Sequence, residues 1–118
     1  MRNLCAPRWT ALLGLALCAC THAPPPIGAG LPPKFTDARP VFEKRVTTQF
    51  PVGSDEKVLV DELRRQRFAM RTPGSPSFQH TAVREANNFP CNLSWVISWS
   101  AENSVLTDIT GDYRWTCL

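Results

Sequence analysis

From Cys91 to Cys117 the chain alternates apolar and polar side chains, with a cysteine at each end. Leu93, Trp95, Ile97 and Trp99 hold one parity, with Ser94, Ser98 and Ser100 between them. Successive side chains of a strand point to opposite faces, so this pattern specifies a half-buried strand. Ala101 to Ser104 supplies a turn. Val105, Ile109, Tyr113 and Trp115 then share one parity of a second strand, against Asp108, Asp112 and Arg114. Gly111 is a candidate bulge position. Folding the two runs into an antiparallel hairpin brings Cys91 and Cys117 together at its open end. A disulfide needs Cα atoms within about 7 Å, which this arrangement can supply. Two unpaired buried thiols are the alternative. Trp95, Trp99 and Trp115 are either core or a stacking surface for a glycan or peptide. Their parity with Ile97 and Ile109 favours the core.

Ahead of the strands the period changes from two to about four. Phe42, Val46 and Phe50 predict a helix over Pro40 to Gln49, with Asp37 near its start and Pro40 in its first turn. Pro51 and Gly53 break it. Ser54 is the expected N-cap of a second helix that runs to about Gln66, with Asp55 and Glu56 in its positive first turn. Leu59 and Leu63 form its apolar stripe, and Arg64, Arg65 and Arg67 complement its negative end as a solvated face, a reading preferred to the alternative of an anion site. Phe68 to Arg71 is a short strand candidate. Thr72 to Pro76 is a loop by composition, and Phe78 to Phe89 reads as an irregular connection. The expected fold class is α+β, with two short N-terminal helices packed on one face of a small antiparallel sheet.

The first residues carry a different message. Arg2 and Arg8 precede an uncharged apolar run, Ala11 to Ala19, which has the layout of a secretory signal. A spanning helix needs about 20 apolar residues, and this run is shorter. Leu17-Cys18-Ala19-Cys20 resembles the lipobox of bacterial lipoproteins. That resemblance implies cleavage after Ala19 and lipid on the Cys20 sulfur, an anchor with no other cofactor. Thr21 stands where an aspartate would favour retention in the inner membrane, so the resemblance points to the outer membrane, periplasmic face. Residues 21 to 36 hold five prolines and two glycines. This composition predicts an extended tether. The expected division is a signal peptide over 1–19, a lipidated tether over 20–36 and a small periplasmic domain over 37–118. Once Cys5 and Cys18 leave with the signal and Cys20 carries lipid, Cys91 and Cys117 are the thiols left in an oxidising compartment.

The chain has 13 Lys and Arg against 10 Asp and Glu. With Arg2 and Arg8 in the leader, the domain lacks the basic surplus of a nucleic-acid module. There is no nucleophile motif, phosphate loop or zinc spacing of ligands. His22 stands in the tether without a second ligand, so no metal site is expected. His80 and Glu85 are the one candidate acid–base pair, and an exposed loop is the blander account of both. No catalytic residue is assigned, and the chain is not expected to be an enzyme.

A lipobox, a tether, two short helices around Gly53-Ser54 and then antiparallel strands resembles the SmpA/OmlA-type lipoproteins, the BamE-like family. It also looks like the related fold of the proteinaceous β-lactamase inhibitors. The anchor, the stapled small domain and the lack of a site motif point to a non-catalytic envelope lipoprotein that binds another protein or the cell wall as a scaffold. The alternative that the resemblance implies is an inhibitor or immunity-type protein that blocks a periplasmic hydrolase.

Overall fold

The computed structural model describes residues 23–118, so the leader, the lipobox and Cys20 lie outside the described residues. The chain is α+β. Helix α1 (Phe35–Gln49) and helix α2 (Glu56–Arg65) precede four strands: β1 (Ala69–Arg71), β2 (His80–Asn88), β3 (Cys91–Glu102) and β4 (Val105–Cys117). The strands form one antiparallel meander in the order β1-β2-β3-β4.

The long hairpin of β3 and β4 is the centre of the fold. Cys91 pairs directly with Cys117, and the two are joined by a disulfide with their Cα atoms 4.0 Å apart. At the other end, Asn103 and Ser104 both adopt positive φ, 51° and 64°. That is the backbone of a two-residue turn whose twist matches the flanking strands. The register shifts between Ser100 and Ala101, where Leu106 and Asp108 pair with Ala101 and Ser100 and Thr107 is the extra residue. The bulge therefore lies near the turn and not at Gly111, which pairs in register with Ile97. It also switches parity. Val105 is 43% exposed, while Leu106 is buried with Ile109 and Tyr113.

Gly111 serves a different purpose. A Cβ there would lie 2.6 Å from Val46 Cγ2 and 3.2 Å from Phe42 Cε2. Helix α1 thus crosses β4 with its stripe of Ala38, Phe42 and Val46 fully buried against a strand that offers only backbone. The helix begins five residues before the predicted Pro40, which instead sits in its interior. Lys34 at the N-cap makes no side-chain cap. The extra turn is held by packing, because the Phe35 ring stacks on Trp115 at 4.6 Å and tilts against Tyr113 at 5.9 Å.

Helix α2 buries Leu59 and Leu63, as its spacing predicts. Its N-cap is Asp55, one residue later than expected. The Asp55 carboxylate accepts the Lys57 N–H at 2.9 Å, while the Ser54 hydroxyl donates to the Pro51 carbonyl. The break between the helices is pinned to the start of β4. Gly53 N–H donates to the Leu106 carbonyl, and Leu106 N–H to the Ser54 carbonyl.

Two expectations fail. Residues 80–88 are not an irregular connection but a full strand, paired with β3 over its whole length. The segment 21–36 is not tether throughout. Pro26–Gly28 forms a 3-10 turn in which Ile27 is 2% exposed and joins the core, and the chain is helical from Phe35. The packed part of the chain therefore begins about a dozen residues before Asp37.

Candidate binding groove

The sheet has two unlike faces. The face bearing Leu93, Trp95, Ile97 and Trp99 belongs to the core with both helices. The opposite face carries Thr81, Val83 and Glu85 from β2, Ser94, Val96 and Ser98 from β3, and Thr110, Asp112 and Arg114 from β4. This second face floors a concave groove of about 1010 Å³. One wall is the 72–78 loop with Phe78. The other is the polar side of α1, whose Thr36, Arg39 and Glu43 reach around the edge of β4.

The floor is apolar at its centre and polar around it. Val83 and Val96 are cross-strand partners. Beside them the Thr81 and Ser98 hydroxyls lie 3.0 Å apart. The β4 wall is ionic. Arg39 donates from Nε and Nη2 to one oxygen of Asp112, at 3.1 and 2.9 Å, and Arg114 donates to the other at 2.8 Å. Burial pushes the Asp112 carboxyl up, but Arg114 and Arg39 together outweigh it and hold it below its ordinary value. Glu43 accepts from the Thr110 hydroxyl at 3.3 Å. Trp115, half-buried at the rim, stacks on Phe35 and carries the Arg39 guanidinium 5.9 Å from its ring centre. On the β1–β2 side, Arg71 and Glu85 are exposed and make no ion pair among the described residues.

The candidate acid–base pair is not assembled. His80 falls on the register of the core face and Glu85 on that of the groove face, five residues apart on one strand. His80 instead approaches Glu56 at the start of α2, with Nε2 3.5 Å from Oε2. The same Glu56 oxygen accepts from Trp99 Nε1 at 2.8 Å. Only the fold brings these three together, since they are far apart in sequence. Trp95 and Trp99 are core, at 2% and 1% exposure, whereas Trp115 remains part of the groove's rim. Arg65 pairs with Glu62 one turn back. Among the described residues no cluster of three or more His, Cys, Asp or Glu could hold a metal ion. No described helix is long and apolar enough to cross a membrane.

The groove itself was not readable from the sequence, because a third of its floor is β2. The one sequence signal for it is the row Ser94, Ser98, Ser100, which marks the polar side of β3 as facing something other than the core. No protein-family model, curated protein or solved structure matches the chain.

Proposed function

We propose that this chain is a non-catalytic envelope lipoprotein, lipidated at Cys20, whose domain binds a protein partner through the groove at the periplasmic face of the outer membrane. The observation that supports the binding role is the groove on the sheet face opposite the core. Thr81 and Val96 lie deep in its floor, while Glu85 and Arg114 stay exposed on the same face. Its small apolar centre, Val83 and Val96, within a polar rim follows the anatomy of a protein-binding surface. The anchor rests on the lipobox resemblance of Leu17 to Cys20, and the outer-membrane address on Thr21. The kinship with SmpA/OmlA-type lipoproteins rests on the order of helices and strands. That order supports equally the second reading, an inhibitor that seats one hydrolase against the groove.

A photo-crosslinking side chain at half-buried Val83 or Ser98 tests the groove in intact envelopes, with exposed Val58 on α2 as the control. Discrete protein adducts from the groove positions and none from Val58 are expected. Adducts to envelope assembly proteins favour the scaffold, and adducts to one hydrolase favour the inhibitor. Equal yields from all three positions, or none from the groove, would sink the binding role. Intact mass of protein from the envelope tests the anchor, which fails if no acyl mass is found.

A further inference from the structure

The chain immediately after Cys20 is built into the domain. Ile27 N–H donates to the side-chain oxygen of buried Gln66 at 2.9 Å, and Arg45 donates to the carbonyls of Ile27 and Ala29. Gly28 lies so close to the Trp95 indole that a Cβ would overlap it. Further upstream, the Ala23 carbonyl accepts from Arg84 Nη2 at 3.3 Å, while Arg84 Nη1 donates to the Gln66 carbonyl at 2.6 Å. The segment thus crosses the core side of the sheet from β2 to β3. Ala23 thus sits beside the Arg84 side chain, which belongs to the part of β2 beyond Val83 that β1 does not pair with.

Cys20 stands three residues before Ala23. Three residues of fully extended chain span at most about 11 Å. Covalent reach alone therefore keeps Cys20 within that distance of Ala23, and a lipid on its sulfur would be attached that close to the packed chain.

The corner beside Ala23 is cationic. Arg67, exposed just beyond α2, follows Gln66, whose carbonyl holds Arg84, and no acidic side chain among the described residues pairs with either. Burial first, and then the like charge of Arg67, pull the Arg84 guanidinium below its ordinary value. Arg84 spends Nη1 and Nη2 on the Gln66 and Ala23 carbonyls, so it is exposed Arg67, beside the proposed anchor, that suits a headgroup phosphate. Guanidinium groups bind phosphate through paired donors.

We infer that the docked segment Ala23–Gly28 is a short leash that holds the domain flush against the bilayer, with the Arg67–Arg84 corner on anionic lipid headgroups. This rests on the lipid at Cys20 proposed above. It goes further by fixing which side of the domain meets the membrane.

The test uses lipidated protein purified from the envelope, in phosphatidylcholine vesicles containing phosphatidylglycerol and a gadolinium-chelating lipid. Amide relaxation measures nearness to the headgroups. Ala23, Arg67 and Arg84 should relax much faster than Val96 and Ser98. Equal or reversed rates overturn the inference. One cation near an anionic surface is worth about fivefold in the equilibrium between orientations, so Arg67→Gln should lower the ratio of the two sets, by at most about that much. An unchanged ratio counts against the headgroup contact and overturns the inference. Gly28→Ala should undock the segment and bring the ratio towards unity while the disulfide-linked hairpin stays folded by near-ultraviolet circular dichroism. A ratio unmoved by Gly28→Ala overturns the leash. Protein with no acyl mass refutes the anchor and this inference together; acylated protein without a gradient refutes this inference alone.

Discussion

Gly111 shows how one missing side chain sets the distance between two layers. Its neighbours on the same parity, Ile109 and Tyr113, are buried, and the absent Cβ is replaced by Val46 and Phe42 of the helix above. Val46 is fully buried and β-branched, so it has little freedom to retreat. Gly111→Ala is therefore expected to destabilise the domain by about 1–3 kcal/mol, the usual range for overpacking. Val46→Ala opens the space that the new methyl needs. The double variant should cost less than the two single variants added together, by about 0.5–3 kcal/mol in a denaturant cycle. Strict additivity would mean that Gly111 is not the contact point. The sequence marks this position as special but not why. A glycine within an alternating strand signals either a bulge or a close approach, and only the helix above it decides between them.

At the scale of elements, the readable parts are those whose own large apolar residues carry the period. Leu59 with Leu63, and Leu93 to Trp99, declare a helix and a strand. Strand β2 does not. Its core-face positions are His80, Ala82, Arg84 and Ala86, so no bulky apolar side chain beats out the period of two. Its strand character comes from pairing with β3, a tertiary influence that outweighs local preference. The onset of α1 was hidden similarly, because a distant Trp115 holds Phe35. Where α1 meets β4, the ion pairs of Asp112 join helix to strand, and they should leave a trace in the pH dependence of stability. The Asp112 carboxyl is held below its ordinary value in the folded state. Its contribution is therefore present above the unfolded value of about 3.9 and is lost as pH falls through the folded value. Arg39 and Arg114 are largely exposed, so the contribution is about 1 kcal/mol or less and weakens with salt. Asp112→Asn should lower stability slightly at neutral pH and flatten the acid limb of the stability curve below about pH 4. An acid limb as steep as that of the unaltered chain would show that the pairs carry no net stability.

For the molecule as a whole, the disulfide joins the last residues of the sheet to its middle. Cys91 and Cys117 are 26 residues apart, and between them lies the hairpin that supplies most of the floor of the groove and much of the core. This pairing was legible in the sequence, because parity and the count of cysteines left after the leader point to the same two residues. What the sequence did not convey is how much else leans on that hairpin. The β2 ladder, the α1 stripe over Gly111 and the Phe35–Trp115 stack all use β3 or β4 as their support. Closing a loop of that length is worth roughly 3 to 4 kcal/mol in the chain-entropy model. Small domains often have only about 3–5 kcal/mol from their core alone. Reduction should therefore unfold much of the population, and the loss should be cooperative, with groove and core disappearing together. Denaturant curves of the mature domain, oxidised and reduced, measure this. Oxidised protein should be more stable by about 2–5 kcal/mol, with coincident transitions by tryptophan fluorescence and far-ultraviolet circular dichroism. Equal midpoints would show that the hairpin holds without its staple. Two reactive thiols per chain in denatured, unreduced protein would show that the staple does not form.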